Sequence, residues 1–151
     1  AEAAGRVLAW EPDATAPRFS LDLTAAYPPE AGLLEWTRTM ERRSSKEAQS
    51  AQFVLTDRFR TSSPDQKITH VIWSLEPFRE PDERVEGSGV RLQLGALCVE
   101  ISPAPTALGC SPIATKNLNL RDFQGQTMYR IEATFRTDAK GELTVETRLK
   151  A

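Results

Sequence analysis

Few side chains in this chain could move a proton or attack a bond. Its 151 residues include one histidine, His70, and two cysteines, Cys98 and Cys110. Acid–base catalysis needs positioned groups within hydrogen-bond reach of the reacting atom. His70 stands between Ile68 and Ile72 on its face of an apolar run. The expectation there is a satisfied, partly buried histidine rather than a general base. The cysteines form no CxxC pair, so separate free thiols are expected, with a bridge as the alternative. Cys98 points opposite to Leu97 and Val99, and nothing near it marks an activated nucleophile. One histidine and two cysteines at these spacings give no metal-ligand pattern, so no catalytic residue, metal or cofactor is assigned to this chain.

Binding chemistry has more candidates. Tyr27 ends a strand-like run beside the rigid Pro28-Pro29 turn, and loops carried on a rigid scaffold are where binding residues collect. Trp10, Trp36 and Trp73 could stack on sugar rings. Trp36 and Trp73 lie in apolar alternation and are expected in the core. Trp10 is followed by polar turn residues and is the candidate for an exposed stacking platform. Tyr27 and Trp10 are therefore the two candidate substrate-binding residues.

These side chains must be positioned by strands, because the dominant apolar period is two. Phe19, Leu21 and Leu23 alternate with polar residues, Leu34, Trp36 and Met40 share a face, and so do Phe53, Leu55 and Phe59. The run from Ile68 to Leu75 is apolar on both faces and reads as a central strand. Val90, Leu92 and Leu94 lead through Gly95-Ala96 into Leu97, Val99 and Ile101, a tight hairpin. The turn Asp138-Ala139-Lys140-Gly141 joins the run Tyr129–Phe135 to Leu143–Leu149, and reads as a closing hairpin. Ten prolines fall in presumed turns or strand ends, where a missing N–H is tolerable. Ser44 to Ser50 suits either a short helix or a polar hairpin loop. The predicted fold is all-β, an antiparallel β-sandwich of roughly eight to ten strands, forming one domain over residues 1–151.

Parity also places two charges. Arg38 shares a face with Leu34, Trp36 and Met40, and Asp57 shares one with Phe53, Leu55 and Phe59. A buried charge without a partner costs several kcal/mol. If the two strands form a hairpin across the Arg43–Ala51 loop, the charges meet, and a structural Arg38–Asp57 ion pair is expected.

Composition bounds the partners. The 21 acidic and 19 basic residues give a net charge of -2. No like-charge block exists to bind nucleic acid or an acidic membrane surface. No apolar run approaches the ~18 residues that span a bilayer, and no signal-peptide pattern is present. Neither nucleic acid nor membrane is an expected partner.

Four segments in order carry a family resemblance: Phe19-Ser20-Leu21-Asp22-Leu23-Thr24-Ala25-Ala26-Tyr27-Pro28, Trp36-Thr37-Arg38-Thr39, Phe53-Val54-Leu55-Thr56-Asp57-Arg58-Phe59 and Met128-Tyr129-Arg130-Ile131. Together, from about Gly5 to Leu149, the chain resembles the C-terminal β region of heparinase II/III-like polysaccharide lyases. The resemblance implies an N-terminal α/α toroid followed by an antiparallel β-sandwich region. It also implies β-elimination on uronic-acid polysaccharides at a site between the two. The family's catalytic Tyr, His and Asn residues and its zinc ligands lie in the toroid and the first part of the sandwich, and none of those motifs occurs here. The implied role is an accessory C-terminal domain, inactive alone, that buttresses an upstream catalytic domain of the same parent chain. Acidic polysaccharide is the implied ligand, and a periplasmic or secreted parent the implied setting, with a cytoplasmic one as the alternative. The alternatives are a stand-alone carbohydrate-binding module and a structural interaction domain.

Overall fold

The computed structural model describes residues 4–13, 15–44, 51–78, 84–85, 89–114 and 127–150. Among these residues eleven strands form two antiparallel sheets. They are β1 (Arg6–Glu11), β2 (Arg18–Asp22), β3 (Leu33–Ser44), β4 (Ala51–Thr61), β5 (Lys67–Ser74), β6 (Arg84–Val85), β7 (Gly89–Leu94), β8 (Leu97–Ser102), β9 (Ala107–Ala114), β10 (Thr127–Arg136) and β11 (Glu142–Lys150). The large sheet runs β1-β2-β3-β4-β11-β8-β7-β6, and the small sheet runs β5-β10-β9. The protein is thus all-β with two packed sheets, as the period-two alternation requires. No helix among the described residues is long and apolar enough to cross a membrane. The helix-or-loop alternative at Ser44 to Ser50 falls, after Ser44, outside the described residues.

The core lies between the sheets. From the large sheet come Phe59, Val145, Val99, Ile101, Val90, Leu92 and Leu94; from the small sheet come Ile131, Ala133 and Phe135. The opposite face of the large sheet is a ladder of alternating charge. Neighbouring positions across β7, β8, β11, β4, β3 and β2 read Arg91, Glu100, Arg148, Val54, Glu41 and Arg18. Val54 is 1% exposed on that polar face, flanked in register by Glu41 and Arg148, whose aliphatic stems can cover it.

The Gly95-Ala96 hairpin forms, with Leu94 opposite Leu97 and Gly95 at φ 58°. Five other expectations are corrected. The run Asp138–Gly141 does not close a hairpin: β10 pairs with β5 and β9, whereas β11 pairs with β4 and β8. The turn is an arch from one sheet to the other. Its local geometry is hairpin-like, with Asp138 Oδ1 accepting from the Lys140 and Glu142 amides. What diverts the chain is a set of bonds to the neighbouring β4–β5 connection, which makes the same crossing. Thr61 N–H donates to the Gly141 carbonyl and Thr137 N–H to the Gln66 carbonyl. Thr137 Oγ1 accepts from the Gln66 amide. Gly141 has φ +77°, and a Cβ there would lie 2.7 Å from the Thr61 carbonyl oxygen, so glycine is required.

β5 is an edge strand, not a central one, since it pairs only with β10 among the described residues. Its second apolar face looks outward, leaving Trp73 50% exposed rather than in the core. Leu34 also leaves the core face, because the register shifts between Leu33 and Glu35; the bulge turns Leu34 out and lets Leu33 pack inward. Pro112 stands inside β9 rather than at a turn, which is tolerated because β9 is an edge among the described residues.

Candidate functional site

At the end of the sandwich where β5 passes over β3 and β4, the sheets part into a cleft of about 370 Å³. Its lining includes Tyr27, Trp36, Arg38, Phe59, Lys67 and His70, with Gln66 and Thr69 at the polar margin.

The segment between β2 and β3 builds the aromatic wall. Asp22 starts it: its Oδ1 accepts from the Thr24 amide at 3.0 Å. Hydrogen bonding by Thr24 is the main reason the Asp22 carboxyl sits below its ordinary range. A 3-10 turn, Thr24–Ala26, follows, and Thr24 Oγ1 accepts from the Trp36 amide at 2.9 Å. Pro29–Ala31 forms a second 3-10 turn, closed by Gly32 at φ 65°. These bonds bring Tyr27 against Trp36, ring centroids 5.3 Å apart. Trp36 stacks in turn on Phe59 at 5.5 Å and 27°. Arg38 lies over the Trp36 ring at 5.2 Å, within cation–π range.

Polar groups make the floor. Arg38 and Asp57 are cross-strand partners. Asp57 is fully buried and accepts from Arg38 Nε at 2.8 Å on Oδ1 and from Arg38 Nη2 at 3.1 Å on Oδ2. Trp36 Nε1 donates to the same Oδ1 at 2.8 Å. Three donors on one buried carboxylate satisfy the charge that the apolar alternation would otherwise strand. His70 closes the floor from β5. Its Nε2 lies 3.4 Å from Arg38 Nη2 and 3.6 Å from Asp57 Oδ2, and its buried Nδ1 has no partner among the described residues. Burial pushes the His70 imidazole below its ordinary value. The Asp57 carboxylate pulls it up, and the Arg38 guanidinium adds to the lowering.

Tyr27 is 49% exposed and lines the cleft. Trp10 does not line it. Trp10 sits on β1 at the free side of the large sheet, edge-on to Phe19 at 5.4 Å, and is 67% exposed. The two candidate binding residues are therefore not brought together. Trp36 joins Tyr27 instead, although alternation assigned it to the core; it does both, packing on the core and walling the cleft. Lys67, Gln66 and Thr69 had no sequence signal, because their role depends on where β5 crosses β3.

Both cysteines are free, Cys98 half-buried on the charged outer face and Cys110 exposed on β9. Among the described residues no group of histidine, cysteine and carboxylate side chains is arranged to hold a metal ion. A scan against protein-family models returns no match, and a search of curated proteins returns none either.

Proposed function

We propose that this chain is a saccharide-contacting accessory β-sandwich domain, in line with its resemblance to the C-terminal region of heparinase II/III-like lyases. In that reading it buttresses an upstream catalytic domain that cleaves uronic-acid polysaccharide by β-elimination. It binds the acidic chain in its own cleft and has no activity alone. The observation that supports it is the pairing of an aromatic wall, Tyr27 and Trp36, with the cations Arg38 and Lys67 around one opening. Pyranose rings present flat C–H faces to aromatic side chains, and uronate carboxylates suit guanidinium and ammonium donors.

The experiment is titration calorimetry of the isolated chain with oligouronates and with neutral oligosaccharides of equal length. Preferential oligouronate binding is expected, weakened about tenfold by Tyr27→Ala and by Lys67→Ala, the loss of roughly one stacked ring or one charge contact. Trp10→Ala should leave it unchanged. No new ultraviolet absorbance from an unsaturated uronate should appear with the isolated chain. Absence of saccharide binding, or turnover by the chain alone, would refute the proposal.

A second reading has its own support. Val7, Trp10, Met40 and Phe53 are all 46% exposed or more, and the register puts them on one face. Such a strip suits a structural interaction domain. A chain that binds no saccharide but self-associates or binds a protein surface, and loses that association with Trp10→Ala, would move the function to that side.

A further inference from the structure

We infer that the floor of the cleft is an acid-strengthened anion site, in which a proton on His70 transfers Asp57 from Arg38 Nη2 to the imidazole and frees that guanidinium edge for a ligand carboxylate or sulfate. The inference rests on the cleft being a binding site, as proposed above, and adds a regulation to it.

The geometry supplies both states. In the neutral state Arg38 Nη2, an obligate donor, stands 3.4 Å from His70 Nε2. An imidazole nitrogen that faces a guanidinium N–H presents its lone pair, so the proton sits on Nδ1. That nitrogen is the buried one that has no partner among the described residues. Arg38 and Asp57 cancel each other, and the floor carries no net charge. A proton from solvent enters at Nε2. It converts an acceptor facing Arg38 into a donor and places two cations 3.4 Å apart. The nearest oxygen for the new N–H is Asp57 Oδ2, 3.6 Å away. The bond from Arg38 Nη2 to that oxygen is the longer of the arginine's two, 3.1 Å against 2.8 Å for Nε. It is therefore the one surrendered, while Nε and Trp36 Nε1 keep Oδ1. The floor then carries one net positive charge, with Lys67 at the cleft margin.

Among the described residues, the charged groups facing His70 are Asp57 from β4 and Arg38 from β3. Its cross-strand neighbour on β10 is Ala133, which is apolar. Burial holds the imidazole neutral near neutrality, so the switch operates below the ordinary histidine value of 6.5. The unfolded chain takes up the proton first as pH falls, so stability is full above that value and declines as pH drops through the folded value. An anion in the cleft supplies the missing countercharge and must raise the His70 midpoint by the same factor that the proton raises anion affinity.

Because His70 is the chain's one histidine, its imidazole C–H resonance reports the switch directly. The intact chain is titrated by NMR from about pH 7.5 to about pH 5, spanning the histidine range. Three samples are compared: no ligand, inorganic sulfate and trigalacturonate. Expected is a rise of the His70 midpoint by about one unit at saturation, with about tenfold tighter binding to the imidazolium form. His70→Gln should flatten the pH dependence of affinity. If trigalacturonate binds with the same affinity across the range and leaves the midpoint unmoved, this inference is overturned and the saccharide proposal survives. If sulfate raises the midpoint but no uronate binds at any pH, the saccharide proposal fails and the anion switch stands. A midpoint that neither probe moves overturns the inference.

Discussion

The inner face of the large sheet divides into two halves that look alike in sequence and differ in exposure. On β8, β7 and β11 the inward residues Val99, Ile101, Leu92 and Val145 are 0% exposed. On β1 and β3 the residues of equivalent parity include Trp10 at 67% and Met40 at 46%. Both halves alternate apolar and polar residues, and both have a charged outer face. The second sheet makes the difference: Ile131, Ala133 and Phe135 of β10 pack on the first half, and a strip of the second stays open. Alternation therefore specifies which face is apolar, while coverage specifies whether that face is core or surface. The cleft lies where coverage begins, with Arg38, Asp57 and His70 along the boundary.

The comparison can be tested across three substitutions of decreasing effect. Phe135→Ala, in the covering strand, should destabilise by about 3–5 kcal/mol in urea unfolding, the cost of a large buried cavity. Asp57→Asn, at the boundary, should cost about 3 kcal/mol, because Arg38 loses its countercharge while Trp36 Nε1 and Arg38 still point at the site. Solvent reaches Arg38, whose side chain is 29% exposed, which holds that figure below the cost for a wholly buried pair. Trp10→Ala, in the open half, should change stability by no more than about 0.5 kcal/mol. A Trp10→Ala cost close to that of Phe135→Ala would break the distinction between the halves. A neutral Asp57→Asn would show that the boundary behaves as surface.

The same distinction explains what the sequence disclosed. Strand periods, the Gly95-Ala96 turn and the facing of Arg38 and Asp57 are properties of parity and of neighbouring segments, and these were legible. The arch at Asp138–Gly141 was not. A turn motif encodes a reversal, but the sheet the returning strand joins depends on Thr61 and Gln66, far away in the chain. Apolar residues on both faces of β5 suggested a central strand, because parity cannot separate a covered face from an open one. Leu34 was misplaced by a one-residue bulge, which inverts parity without a composition signal. The cleft was half legible. Tyr27 stood out beside Pro28-Pro29, but Lys67 and His70 reach it only through the crossing of the sheets.

The paired arches also bear on how quickly the protein can fold. β1 to β4 zip together through connections between chain neighbours, so that half can form early. β4 then waits for β11, much later in the sequence, to occupy its other edge, and β10 must find β5 across a shorter but still long interval. Such distant pairings raise contact order and slow the final step. Until it completes, β4 presents an unpaired edge beside an open apolar face. A ribosome that has released β1 to β4 but not β11 thus carries the species most exposed to wrong pairing.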